Sequence, residues 1–168
     1  MKELVQVLNE IGRGQLAHMA WANHQVFQVL VELPSSALED SSNYDDWTVA
    51  RIANHLVSAA GRLAARADQA EFPNDVRVAS DPQNMRALAE LISRYDARLL
   101  EIANGVDGEV EFQLRGKVVQ TKKSVILMQA IHHAQEHRVQ IARVLAGNGT
   151  NVINLDELSF WKFFNIEQ

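Results

Sequence analysis

Histidine is the residue type in this sequence whose spacing most directly suggests chemistry. The chain has six histidines and no cysteine, so Cys-type zinc sites and cysteine nucleophiles are excluded. His133 and His137 are four residues apart, which on a helix places them on one face with Cβ atoms about 5–6 Å apart. That separation lets two imidazoles reach one metal ion. His132 is turned about 100° away on the same helix and is not expected to join them.

The pair interrupts a stripe that is otherwise apolar. The members of this stripe recur at steps of three and four, and they are Ile126, Ala130, His133, His137, Ile141 and Val144. A buried neutral imidazole needs a partner for each ring nitrogen, and a metal ion satisfies one nitrogen of each ring. The same pattern holds for His55, which lies between Ile52 and Ala59 on an earlier segment. Two facing helices would then supply a set of three histidines.

The residues alone leave two interpretations open. In one, His55, His133 and His137 hold a metal with an open fourth position, as catalytic sites do. Zinc suits imidazole, and so do nickel, iron and copper. In the other, the rings are core histidines whose nitrogens bond to backbone or hydroxyl groups.

A peptidase motif competes for the same residues. His133-Ala-Gln-Glu136-His137 fits H-x-x-E-H, in which the glutamate is the general base. Only 31 residues follow His137, too few for a substrate-cleft domain, so a peptidase is disfavoured. Glu136 is kept as a candidate general base, although a solvated carboxylate is the simpler interpretation. His24 is expected to face inward, in a packing or interface role, with a fourth ligand as the alternative.

Four long segments with helical periodicity must position these residues. The first spans about residues 2–32, and the second runs from an N-cap at Thr48 to about residue 69. The third begins with Asp81 as cap and Pro82 in the first turn, and ends at 104–105. The fourth spans about residues 121–146, with Gly147 as its terminator.

A shorter segment has a different period. Apolar and polar residues alternate over residues 109–114, which favours a strand, and Arg115-Gly116 can turn the chain back into residues 117–119. Residues 158–166 are rich in aromatic side chains and are expected to form a short packed helix. The predicted fold is therefore all-α: one domain, 1–168, forming an up-down four-helix bundle with a β-hairpin before the last long helix and a short C-terminal helix.

Composition narrows the function classes. The net charge of −5 disfavours binding to phosphate backbones. No apolar run approaches the ~18 residues of a membrane span, and the N-terminus has no signal-like apolar stretch. With no cysteine, the expectation is a cytoplasmic protein without nucleic-acid or membrane partners.

Three segments carry a resemblance to a known family. They are residues 21–23 (Trp-Ala-Asn), residues 47–56 (Trp-Thr leading to His-Leu) and residues 133–141 (H-x-x-x-H-R-x-Q-I). In order and spacing they resemble signatures of the DinB/YfiT-like family of metalloenzymes, and the match covers most of the chain.

The resemblance implies a four-helix bundle in which His55, His133 and His137 hold a divalent ion, usually zinc or nickel. It also implies a homodimer acting on a small molecule, since relatives include transferases and isomerases that use bacillithiol, mycothiol or glutathione. Some relatives have glutamate where this chain has His133, so it looks nearer to the all-histidine branch. The leading prediction is a metal-dependent enzyme that transfers a small thiol to an electrophile. A metal-dependent hydrolase and a non-catalytic or structural metal protein are the alternatives.

Overall fold

The long helices form where the apolar stripes predict them. The computed structural model describes residues 2–42, 46–74 and 82–166. Its long helices are α1 (Lys2–Leu30), α3 (Val49–Asp68), α4 (Pro82–Ala103) and α5 (Lys123–Gly147), and a single turn, α2 (Ser35–Leu38), follows α1. A two-stranded antiparallel hairpin, β1 (Glu109–Leu114) and β2 (Lys117–Lys122), precedes α5. The predicted helical bundle and its hairpin are thus confirmed.

The start of α3 follows from its capping residue. The Thr48 hydroxyl oxygen accepts a hydrogen bond from the Arg51 backbone N–H at 3.2 Å, which satisfies one of the free donors of the first turn. The helix ends where Gln69 adopts a left-handed conformation with φ 55°. Asp81, the expected cap of α4, lies outside the described residues.

The start of α5 differs from the prediction by two residues. Thr121 and Lys122 pair with Val110 and Glu109 in the hairpin, so the ladder extends to the residue directly before the helix. The backbone N–H and hydroxyl of Ser124 both donate to the Asp107 carboxylate at 2.9 Å. This carboxylate, from the segment before the hairpin, therefore caps α5. At the other end, Gly147 is the last helical residue and does not follow the helix.

The chain after α5 forms two short helical turns. A 3₁₀ turn at Asp156–Leu158 precedes α6 (Phe160–Phe163), which begins at Ser159, whose hydroxyl accepts from the Lys162 N–H at 3.3 Å. The expected C-terminal helix exists, but it is shorter than residues 158–166.

The core lies between four helices whose order differs from their order in sequence. Helices α1 and α3 each pack against both α4 and α5, so the order around the bundle is α1, α4, α3, α5. The apolar stripes of all four line one continuous core. Because α3 and α5 are neighbours, residues from these two helices can share one site. Among the described residues, no helix is both long and apolar enough to cross a bilayer.

Candidate metal centre

Three histidines meet at the boundary between α3 and α5. His133 Nε2 lies 3.1 Å from His55 Nε2 and 3.1 Å from His137 Nε2. Within the described residues, one nitrogen from each of these rings falls within 4.8 Å of the others, and no acidic side chain joins the group. The structure therefore brings together all three residues that the sequence singled out.

Protons alone do not satisfy this arrangement. His137 Nδ1 is 2.9 Å from Gln140 Oε1, so Nδ1 carries the proton when the amide oxygen faces the ring, and Nε2 presents a lone pair. When His133 Nε2 carries the proton, its single hydrogen is shared between two nitrogens at 3.1 Å; when it does not, its lone pair faces the lone pair of His137 Nε2. An ion that accepts all three lone pairs removes the conflict.

Two of the three distances between the ring nitrogens also fit a metal. Tetrahedral zinc with Zn–N bonds of about 2.0–2.1 Å requires ligand nitrogens about 3.3 Å apart, close to the 3.1 Å contacts. All three side chains are partly exposed, although the stripe suggested core positions. Partial exposure leaves room for a further ligand, such as water or a substrate atom.

The environment keeps two of these rings, those of His55 and His133, in the neutral form that binds metal. Burial lowers the pKa of His55, and the charges of His137 and Arg62 lower it further. Burial likewise lowers the pKa of His133 to about 4, helped by its two histidine neighbours. At neutral pH these two imidazoles are therefore deprotonated, and a metal has no proton to displace from them.

Trp47 orients two of the rings. Its indole meets His55 edge-on, with ring centroids 4.9 Å apart, and stacks on His137 at 6.3 Å. The Arg51 guanidinium lies over the same indole, 4.8 Å from its centroid, in a cation–π contact. The indole therefore shields the imidazole faces, while Arg51 and Arg62 make the surroundings of the site positive.

A buried polar network lies behind the histidines, and sequence analysis did not find it as a unit. Asn23 donates to Asp96 Oδ2 at 2.9 Å, and Arg138 donates to Asn23 Oδ1 at 2.6 Å; all three residues are buried. Burial raises the pKa of Asp96 to about 7, against the opposing effects of Asn23 and Arg138. One signal was available: Asp96 lies four residues after Ile92 and three before Leu99, so a carboxylate interrupts the apolar stripe of α4.

Other candidate residues lie away from the centre. His24 is exposed and does not face inward, because its neighbour Asn23 takes the inward position of that turn; its role at a subunit interface stays a prediction. His18 Nε2 donates to the Leu158 carbonyl at 2.7 Å and its ring stacks on Phe160 at 4.0 Å, which is a packing role. Glu136 is exposed and outside the histidine group; its role as general base stays a prediction.

The fold and site define a helical bundle with a three-histidine centre, and one comparison assigns it to a family. The model of the DinB family matches residues 8–164, nearly the whole chain. The chain therefore belongs to the DinB family. No curated protein matches it.

Proposed function

We propose that this chain is a divalent-metal-dependent enzyme that transfers a small thiol to an electrophilic compound. His55, His133 and His137 are the proposed ligands, with zinc or nickel as the ion. The observation that carries the proposal is the convergence of the three Nε2 atoms, since neutral rings alone leave a conflict there. Three protein ligands with room for a fourth are typical of catalytic sites.

The proposed thiol transfer needs a divalent ion, and the three imidazoles form a set of ligands that suits one. When bound, a divalent ion lowers the pKa of a thiol so that the sulfur is held as the nucleophilic thiolate. The new bond forms between sulfur and the electrophilic carbon, the leaving group departs with its electron pair, and the thiol proton passes to solvent. The chain itself has no cysteine, so the sulfur must come from the co-substrate.

The residues around the centre have defined tasks in this reaction. The three imidazoles hold the ion, and Trp47 keeps two of them in orientation through ring contacts. Arg51 and Arg62, whose charges act on His55, favour a co-substrate that carries carboxylates. This charge supports small anionic thiols of the glutathione or bacillithiol kind over neutral ones. The described parts of segments 34–46 and 70–80, together with the hairpin, are proposed to shape the pocket that selects the electrophile; residues 43–45 and 75–80 lie outside the described residues.

The assay compares thiols in the presence of one electrophile. Zinc-loaded protein is mixed with monobromobimane and a panel of glutathione, bacillithiol, mycothiol and the neutral thiol 2-mercaptoethanol. We expect a rate above the uncatalysed reaction that requires metal, is lost in His133→Ala and is greatest with an anionic thiol. The absence of a metal-dependent rate with every thiol would leave hydrolysis or non-catalytic binding as the function.

A substitution at Arg62 tests whether positive charge near the centre favours an anionic thiol. Arg62→Gln removes one positive charge near the centre without removing a ligand. We expect KM for an anionic thiol to rise while KM for 2-mercaptoethanol stays unchanged. An equal effect on both thiols would remove the basis for an anionic co-substrate.

We also propose that the protein is a cytoplasmic homodimer. Several aromatic and apolar side chains of the C-terminal segment are exposed in the single chain, among them Trp161, Phe164 and Ile166. Such side chains are enriched at interfaces between subunits. Sedimentation equilibrium of the wild type, beside a Trp161→Glu variant, should show a dimer that the substitution weakens.

A further inference from the structure

A small internal cavity separates the histidine centre from the buried polar network. Its volume is about 10 Å³, and its lining includes His133 from α5, Asp96 from α4 and Asn23 from α1. Apolar side chains, Leu56 and Leu99 among them, complete the wall. A cavity needs a volume of at least about 10–15 Å³ to hold one water molecule, and polar partners must face that water.

One such partner is the free oxygen of Asp96. The residue is 2% exposed, and its Oδ2 accepts the hydrogen bond from Asn23. Its Oδ1 is buried and has no hydrogen-bond partner among the described residues. A buried carboxylate oxygen without a partner is energetically unfavourable, so this position strongly favours a hydrogen-bond donor.

The second partner is the far nitrogen of His133. Its Nε2 faces His55 and His137, so Nδ1 lies on the other edge of the imidazole. In the part of the chain that the structure describes, no side chain or carbonyl bonds to Nδ1. A ligand histidine almost always donates from its second nitrogen to a carboxylate, carbonyl or water.

We propose that a water molecule fills this cavity, accepts a hydrogen bond from His133 Nδ1–H and donates one to Asp96 Oδ1. Asp96 is then a positioning residue: through the water it holds the proton of His133 on Nδ1 and so directs the Nε2 lone pair to the metal. Asn23 fixes the carboxylate through Oδ2, and Arg138 fixes Asn23. The consequence for metal affinity rests on the proposed function, whereas the tautomer of His133 does not.

The affinity test uses two substitutions at Asp96. Asp96→Leu removes both carboxylate oxygens at similar volume, and Asp96→Asn keeps the shape but removes the charge, should the first variant fail to fold. Zinc affinity is measured by competition with a chromophoric chelator. We expect a loss of about 10- to 100-fold for Asp96→Leu and a smaller loss in the same direction for Asp96→Asn. Folded variants that bind zinc as tightly as the wild type would overturn the proposal.

A matched control separates positioning from general destabilisation. Ile92 lies one turn before Asp96 on α4, is 1% exposed and does not line the cavity. Ile92→Ala should shift the urea unfolding midpoint to a lower concentration, because it leaves a cavity in the core, and should leave zinc affinity unchanged. An equal loss of affinity in Ile92→Ala would mean that Asp96 acts only through the fold, which contradicts the proposal.

A second readout needs no metal. Nitrogen-15 NMR of the imidazoles in zinc-free protein at pH 7 reports which nitrogen of His133 carries the proton. Because the His137 Nε2 lone pair favours Nε2–H on His133 in the absence of zinc, we expect a larger Nδ1–H fraction in the wild type and in Ile92→Ala than in Asp96→Leu. An unchanged tautomer in Asp96→Leu would overturn the inference. If the wild type binds no zinc, the proposed function fails, and the tautomer still decides this inference.

Discussion

At the residue scale, the centre depends on imidazoles that are neutral before a metal arrives. His133 is the most affected, because it packs against both other histidines and its pKa is lowered to about 4. In the unfolded chain the ring takes a proton at a higher pH, near 6.5. Stability linked to this ring is therefore fully present above about pH 6.5 and is lost as the pH falls towards about 4.

The loss of stability on acidification gives a prediction for zinc-free protein. His133→Gln removes the titrating ring, so the wild type's unfolding free energy relative to the variant should fall by about 1 kcal/mol between about pH 7 and pH 5. That value is roughly half of the full linkage, since the side chain is partly exposed. Urea unfolding at several pH values measures it. The same substitution at exposed His132 is the control; a difference that grows on acidification would contradict the account.

Sequence reasoning located the three histidines that converge but not the residues behind them. The positions of His55, His133 and His137 follow from helical spacing, since each interrupts an apolar stripe. Asp96 interrupts a stripe in the same way, yet its link to Asn23 and Arg138 depends on how three helices pack. His24 shows the opposite case. Its spacing is compatible with the inward face of α1, but the neighbouring Asn23 occupies that face instead.

At the element scale, the site requires α3 to pack closely against its neighbours. Gly61 lies on the side of α3 that meets Tyr95 of α4 and Pro73 of the following loop. A Cβ at Gly61 would be 2.9 Å from Pro73 Cγ and from two ring atoms of Tyr95. Glycine is therefore needed at position 61 because Tyr95 and Pro73 pack closely against the helix backbone there, and not because of its backbone conformation.

Two alanine substitutions test this contact. Gly61→Ala should destabilise the protein by about 1–3 kcal/mol, because the packed neighbours must move. At Gly12 on α1, no atom of the described residues lies within 4 Å of the same position, so Gly12→Ala should stabilise the protein by about 0.5–1 kcal/mol. Urea unfolding midpoints that move in the same direction for both variants would refute the packing argument.

The ends of the elements were less predictable than their existence. The Thr48 cap was readable because its hydroxyl acts within one turn. The start of α5 was not, since Asp107 reaches it from before the hairpin and β2 continues to Lys122. Sequence signals therefore predicted the Thr48 cap, which acts within its own segment. They did not predict the Asp107 cap, because its position depends on the pairing of the hairpin strands.

At the scale of the whole molecule, the core and the metal centre contribute separately to stability. Buried apolar side chains from all four long helices form the core, and the centre lies at its partly exposed edge. Periodicity predicted four inward faces but not the order α1, α4, α3, α5, because a stripe does not specify the helix it meets. Within this order, an ion held by His55, His133 and His137 would join α3 to α5.

Metal removal should therefore lower stability without unfolding the bundle. We expect zinc-free protein to keep its helical circular dichroism and to unfold cooperatively. Added zinc at about 100 times its Kd should stabilise the fold by about 2.7 kcal/mol, and His55→Ala should abolish this gain. Loss of helical signal on chelation would instead indicate a structural metal.

The metal content of tag-free, reconstituted protein tests the central claim most directly. Elemental analysis compares the wild type with His55→Ala, His133→Ala and His137→Ala, and with His132→Ala as an exposed control on the same helix. The account predicts about one divalent ion per chain in the wild type and the control, and a loss of tightly bound ion in each ligand variant. A wild type without stoichiometric metal, or full retention in His55→Ala, would contradict it.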